Sequence, residues 1–224
     1  MNRSIALISA SALVLTGIGL VSRHSASSEP EVGVTVVAGF DASESFRPNL
    51  NQSVSRFSHF ISSRNPASDR LICYRTDSTS VPFFDNRVPD SGERFTRIAA
   101  TELGSTPART GTHPSEFYAA IAPTVVAAGR CVVVAIGDGD EDGIDLTTAD
   151  VQTRHAAATM AANPEAMVFI EATRGNWPRL QKLFSPFGDR LHLCTPGTFS
   201  TDDLDRWASD AQQLSRKESI HANR

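Results

Sequence analysis

Short runs of β-branched and other apolar residues alternate with helical patterns along most of this 224-residue chain. The first run, 32–40, has the composition of a strand that is buried on both faces. Similar runs occupy 71–74, 131–136, 167–170 and 191–194. Because parallel neighbours need a crossover, and crossovers are usually helices, the alternation predicts an α/β fold: a doubly wound, mostly parallel sheet with helices on both faces.

Apolar residues at helical spacing predict the crossover helices. The clearest set is Leu50, Val54, Phe57 and Ile61. This spacing of three or four residues is typical of an amphipathic helix. Further helices are predicted to end near 129 and to cover about 147–162, 177–184 and 201–216. The segment 76–110 is rich in proline, serine and aspartate, and its one predicted element is an edge strand near 81–84.

The charge pattern excludes an ordinary nucleic-acid-binding protein. The net charge is -4, and lysine and arginine are scattered, so no basic stripe is available to neutralise phosphates. Hydrophobic residues at 40% and charged residues at 21% are ordinary proportions for a soluble domain. We expect one domain over 31–216, followed by a polar tail at 217–224.

Residues 1–30 show the three-part pattern of an export signal. Arg3 precedes an apolar run at 5–21, and a small polar stretch follows at 22–28. A helix over that run would be about 25 Å long, short of the roughly 30 Å hydrocarbon core of a bilayer. A cleaved signal and a marginal membrane anchor through 5–21 both remain open. We therefore expect a periplasmic, secreted or membrane-anchored protein.

The three cysteines, Cys73, Cys131 and Cys194, each lie in a strand-like run. Since their number is odd, at least one has no disulfide partner. In the predicted sheet Cys73 and Cys131 lie two strand spacings apart, about 9–10 Å, which is beyond disulfide range. We interpret all three as small apolar residues of the core.

Oxygen-bearing side chains follow the predicted strands where a ligand would bind. Asp41, Ser43 and Ser45 come directly after the first strand in a D-x-S-x-S pattern. In doubly wound folds, ligands sit at the carboxyl ends of the strands where the strand order reverses. Thr112, before the third helix, and Asp138, after a central strand, are expected at the same edge.

This arrangement resembles a von Willebrand factor A domain with a metal-ion-dependent adhesion site. In that family a D-x-S-x-S loop, a Thr in a Gly-Thr-like turn and an Asp in an Asp-Gly together bind one divalent cation. The matching residues, in the family's order, are Asp41, Ser43, Ser45, Thr112 and Asp138. The resemblance spans about 31–216 and implies a six-stranded, Rossmann-like sheet with one short antiparallel edge strand.

Three positions depart from the family pattern. Gly137 stands where the family often has Thr or Ser, and Glu44 replaces a frequent Gly. Thr110 competes with Thr112 as the third-loop ligand. None of these departures removes a type of ligand.

The resemblance implies metal-dependent protein binding without catalysis. Magnesium prefers hard oxygen ligands, and Mn²⁺ or Ca²⁺ accept similar donors. An ion held largely by neutral hydroxyls stays electron-poor and favours an anionic oxygen from outside. We therefore expect a protein partner that offers an Asp or Glu carboxylate.

Two alternatives use the same region. The acidic loop 138–145 could bind calcium, because residues 138–143 match the first half of a calcium loop, but the twelfth position is Ala149 rather than a bidentate Glu. A metal-dependent hydrolase has little support, because the sequence has no G-x-S-x-G, H-E-x-x-H or Walker motif and His113 is the one histidine near the site. We interpret four further carboxylates as a solvated acidic loop: Asp140, Glu141, Asp142 and Asp145.

Overall fold

A computed structural model describes residues 33–76, 82–104, 112–142, 145–202 and 204–207. Its strands are β1 (Val34–Phe40), β2 (Arg70–Arg75), β3 (Phe84–Arg87), β4 (Arg130–Ile136), β5 (Ala166–Glu171) and β6 (Leu191–Cys194). Its α-helices are α1 (Arg47–Ser62), α2 (Gly92–Gly104), α3 (Pro114–Ala127), α4 (Leu146–Ala161) and α5 (Trp177–Leu183). The predicted export signal and polar tail lie outside the described residues.

The strands form one six-stranded sheet in the order β3-β2-β1-β4-β5-β6. The edge strand β3 is antiparallel to β2, and all other neighbours are parallel. This topology confirms the predicted doubly wound sheet. The chain first builds outward from β1 through β2 and then returns to β4, so the strand order reverses between β1 and β4. Phe40 is in register with Arg75 and Ile136, and β1, β2 and β4 therefore end at the same edge.

Alternate residues of β1 enter two hydrophobic clusters, one on each face of the sheet. Val36 and Ala38 face the cluster that includes α1 and α2, whereas Val37 faces the cluster that includes α3, α4 and α5. Both faces of the central strands are thus covered, which explains why the sequence shows continuous apolar runs instead of strict alternation.

The helix α2 was not predicted. Its buried residues are Gly92, Phe95, Ala99 and Leu103, and polar residues fill most of the positions between them. The apolar spacing is helical, but it rests on few residues and begins in a proline-rich and serine-rich stretch. The edge strand begins at Phe84, where the predicted segment 81–84 ends, and Phe83 N also donates to Cys73 O of β2 at 2.8 Å.

The three cysteines are free thiols, as predicted. Burial raises the pKa of Cys131 to about 12, and burial together with the nearby Glu171 does the same for Cys194. Of the helix predicted at 201–216, residues 201–202 and 204–207 are helical and 208–216 lie outside the described residues. No helix in the described ranges is long and apolar enough to cross a membrane.

A buried carboxylate at the end of β5 makes stability depend on pH. Glu171 is 1% exposed, and it accepts hydrogen bonds from Ser53 Oγ at 2.6 Å and from Phe199 N at 3.4 Å. Burial raises its pKa above the ordinary 4.5, and these hydrogen bonds only partly oppose the shift. The folded chain therefore holds this proton more tightly than the unfolded chain does.

Because the pKa is raised on folding, the stability that Glu171 contributes falls as pH rises from 4.5 through the raised pKa. Glu171→Gln removes the charge and keeps a hydrogen-bonding group. As pH rises through this range, the wild type should lose stability relative to the variant. The loss should be about 1.4 kcal/mol for each unit by which folding raises the pKa of Glu171. Urea unfolding at several pH values measures the difference. A difference that is flat with pH would contradict the prediction.

Candidate metal centre

Asp41 is the first residue after β1, and the backbone fixes it at the edge of the sheet. Asp41 N donates to Ile136 O at 2.8 Å, which ties the start of the loop to the end of β4. The carboxylate is buried, and its Oδ1 accepts from Ser43 N at 2.8 Å. This local Asx turn orients the carboxylate and sets the path of the loop toward Ser43 and Ser45.

The first loop and the loop after β4 meet through a run of side-chain oxygens. Ser43 Oγ lies 3.0 Å from Ser45 Oγ, and Ser45 Oγ donates to Asp138 Oδ2 at 2.9 Å. The other oxygen of Asp138 accepts from Asp140 N at 3.0 Å. The side chains of three predicted ligands thus meet, although Asp138 is 93 positions further along the chain than Ser45.

Thr112 lies beside this run of oxygens. It is 1% exposed, and its backbone N and Oγ1 donate to Asp142 Oδ2 at 3.2 and 3.4 Å. Thr112 lines a small cavity together with Asp41 and Gly137, so it borders the same site. The competing Thr110 lies outside the described residues, and the choice between the two threonines stays a prediction.

The donor set suits a hard divalent cation. It combines two carboxylates with hydroxyl oxygens, which are ligands that Mg²⁺, Mn²⁺ and Ca²⁺ accept. Within the described ranges no three His, Cys, Asp or Glu side chains form a metal-binding group. A cation held at this edge would therefore depend on the serine and threonine hydroxyls as well as on Asp41 and Asp138.

Two departures from the family pattern have a structural explanation. A Cβ atom at Gly137 would lie 3.1 Å from Asp41 Cβ and 3.3 Å from Asp41 Oδ2. Glycine at this position thus leaves room for the Asp41 carboxylate. Glu44 is exposed, so its larger side chain projects away from the buried oxygens.

The interpretation of the acidic loop as solvated is wrong for Glu141. Its side chain is 1% exposed and accepts from Ser115 Oγ at 2.8 Å and from Ser115 N at 3.1 Å. Ser115 lies in the first turn of α3, where backbone N–H groups without helical partners attract a carboxylate. Burial raises the pKa of Glu141, and the bonds from Ser115 oppose that shift.

The other carboxylates of this loop have separate partners. Asp140 accepts from Asn176 Nδ2 at 2.8 Å, and Asp145 caps α4 by accepting from Thr148 N at 3.0 Å. Asp142 is bonded to Thr112. These side chains do not converge on one point, which argues against the calcium-loop alternative.

Sequence reasoning missed Thr76, the residue that follows β2. Its backbone N donates to Phe40 O at 3.0 Å, and its carbonyl oxygen accepts from His113 N at 3.0 Å. Thr76 also lines the cavity beside Asp41 and Thr112. Its position at the carboxyl end of a strand adjacent to β1 was a usable signal, because side chains at this edge surround the predicted site.

Gly139 holds the loop of Asp138 in a conformation that other residues rarely adopt. Its φ is +81°, and a Cβ there would lie 2.8 Å from Ala172 Cβ. Gly139→Ala should lower the free energy of unfolding by roughly 1–3 kcal/mol. Gly175→Ala is the matched control, because a Cβ there meets nothing within 4 Å. Urea unfolding should separate the variants, and equal losses in both would refute this role of Gly139.

The comparison with known proteins rests on structure alone. No protein-family model and no curated protein matches the sequence. Proximal thread matrix protein 1 from the mussel byssus superposes with a TM-score of 0.54 at 12% identity, over 84% of this chain and 49% of that one. A von Willebrand factor type A protein from Catenulispora acidiphila gives 0.52 at 12% identity, over 81% and 41%. The chain has a von Willebrand factor A fold.

Two further structures superpose on this chain. BatB from Bacteroides thetaiotaomicron has a TM-score of 0.50 at 14% identity, over 82% of this chain and 100% of that one. The mussel protein has also been solved with zinc in its MIDAS motif, with a TM-score of 0.53 at 11% identity, over 84% and 49%. This chain spans less than half the length of the mussel and Catenulispora chains. At such low identities the likeness establishes the fold.

Proposed function

We propose that this chain is a divalent-cation-dependent protein-binding module. The observation that carries the proposal is the run of oxygens that joins Ser43, Ser45 and Asp138 across two loops. With Asp41 and Thr112 at its border, the run supplies the ligand types that the family's adhesion site uses. The zinc-occupied MIDAS motif of the mussel protein supports a divalent cation on this fold. We propose Mg²⁺, with Mn²⁺ and Ca²⁺ as alternatives.

The side chains divide into an inner and an outer part of the site. Asp41, Ser43 and Asp138 are buried, whereas Ser45 is exposed. An external ligand therefore approaches from the side of Ser45. A cation held by these residues would supply a positive centre, and uncharged hydroxyl ligands would leave it able to attract an anionic oxygen. A carboxylate from an Asp or Glu of a protein partner meets this requirement.

We assign binding rather than catalysis to the site. His113 is the histidine beside it, and its Nδ1 lies 4.0 Å from Glu141 Oε1, beyond hydrogen-bond distance. The pair therefore lacks the oriented contact by which a carboxylate positions a general base. The net charge of -4 favours a protein partner over nucleic acid. The export-signal pattern of residues 1–30 supports a proposed location outside the cytoplasm, with the module periplasmic, secreted or anchored through 5–21.

The test has a cation arm and a partner arm. Calorimetric titration of the purified chain with Mg²⁺, Mn²⁺ and Ca²⁺ should show one binding site. A peptide array in which every Asp or Glu peptide has a matched Asn or Gln peptide is then probed with the chain in Mg²⁺ and in EDTA. Binding should require both the cation and the carboxylate. Absence of cation binding, or peptide capture that EDTA leaves unchanged, would refute the proposal.

A further inference from the structure

A cavity of about 20 Å³ lies against the candidate metal centre. Its lining includes residues from the ends of four strands and from α3, among them Asp41, Thr76, Thr112, Tyr118 and Glu171. A cavity needs roughly 10–15 Å³ to hold one water molecule. The space therefore fits a single water, and the polar side chains in its wall are suitable partners for it.

Thr76 supplies the second observation. The residue is 4% exposed, and its Oγ1 has no hydrogen-bond partner among the described residues. Leaving a hydroxyl buried and unsatisfied costs about 1–3 kcal/mol, so such groups usually bind an ordered water when space allows. Both backbone polar atoms of Thr76 are bonded, to Phe40 and His113. These two bonds fix the backbone of Thr76, a residue that lines the cavity.

Asp41 is the most suitable second partner for a water in this space. A carboxylate has about four acceptor positions, so Asp41, whose Oδ1 accepts from Ser43 N, can also accept from a water. Glu171, the other carboxylate in the wall, already accepts from Ser53 Oγ and Phe199 N. A water between Thr76 and Asp41 would accept from or donate to the hydroxyl and donate to the carboxylate.

We propose that this cavity holds one water molecule that joins the Thr76 hydroxyl to the Asp41 carboxylate, and that Thr76 thereby positions Asp41 for the cation. The effect of Thr76 on cation binding rests on the proposed function. The presence of the water in the cavity does not rest on it. Partners that orient metal ligands from behind typically account for 10–100-fold in metal affinity. Thr76 acts through Asp41 and is a positioning residue rather than a ligand.

The first experiment is a high-resolution crystal structure of the cation-free chain. We expect one ordered water within hydrogen-bond distance of Thr76 Oγ1 and of the Asp41 carboxylate. An empty cavity, or a Thr76 hydroxyl bonded directly to protein, would overturn the proposal. This result does not depend on whether the chain binds a cation.

The second experiment compares two variants by Mn²⁺ titration and by thermal unfolding without cation. Thr76→Val keeps the shape of the side chain and removes the hydroxyl, so Mn²⁺ affinity should fall about tenfold or more. Thr76→Ser keeps the hydroxyl and should bind within about threefold of the wild type. Wild-type affinity for Mn²⁺ in Thr76→Val, or equal losses of affinity in both variants, would overturn the role of Thr76.

If Thr76→Val does not fold, the Mn²⁺ affinity of Thr76→Ser and the crystallographic water decide. If the wild type binds no Mn²⁺, the proposed function fails and the crystallographic result still decides on the water.

Discussion

Replacing Ser43 and Ser45 together by alanine should abolish cation binding and leave the chain folded. The two hydroxyls link the first loop to Asp138 through contacts of 3.0 and 2.9 Å. Their removal deletes two of the proposed ligands and the connection between the loops. Because ligands matter more than the groups that orient them, the loss should exceed the roughly 100-fold caused by removing an orienting partner. Calorimetric titration with Mg²⁺, Mn²⁺ and Ca²⁺ measures it.

The same loop offers a matched control in Glu44, which is exposed between the two serines. Glu44→Ala should bind the cation as the wild type does, apart from a small effect of the lost surface charge. Circular dichroism should show the same helical content in all three proteins. Cation binding that survives in the double variant would instead place the ion in the acidic loop 138–145. Loss of folding in the double variant would show that the serines are structural.

The sheet and the edge at which the proposed ligands lie were predictable for the same physical reason. Strands buried on both faces need continuous apolar runs, and such runs are visible in a single sequence. Once the topology is known, a residue directly after a strand is placed by the sheet. Asp41 follows β1 and Asp138 lies two positions after β4, so their convergence required only the order of the strands.

Features that depend on the approach of distant loops could not be predicted in this way. Glu141 and Ser115 are 26 positions apart, and nothing local distinguishes a carboxylate that caps α3 from one that faces water. Asp142 is exposed, as expected, but its bond to Thr112 joins residues 30 positions apart and has no local signal either. The helix α2 was missed because Phe95, Ala99 and Leu103 carry its burial in an otherwise polar segment.

Replacing Phe57 by alanine should cause a large loss of stability. The ring is fully buried on α1 and packs edge-to-face against Phe40 at 5.4 Å and Phe95 at 5.2 Å between centroids. It thus joins β1, α1 and α2. Truncating a buried Phe costs about 3–5 kcal/mol through lost burial and the cavity left behind. That is a large share of the roughly 5–15 kcal/mol that stabilises a typical domain.

Urea unfolding followed by circular dichroism tests this expectation, with two controls. Phe57→Leu refills part of the space and should lose less, and Val126→Ala, at a position 46% exposed, should stay within about 0.5 kcal/mol of the wild type. Phe57 lies on the helix that follows the loop of the proposed ligands Asp41, Ser43 and Ser45, so the unfolding series should be repeated in Mg²⁺. A cation that binds only the folded chain adds a stability set by its concentration and affinity. If Phe57 serves the core alone, Mg²⁺ will add the same increment to the variant as to the wild type. A smaller increment in Phe57→Ala would mean that the packing of α1 also shapes the cation site. A free energy of unfolding of Phe57→Ala equal to that of the wild type would refute the role of this ring in the core.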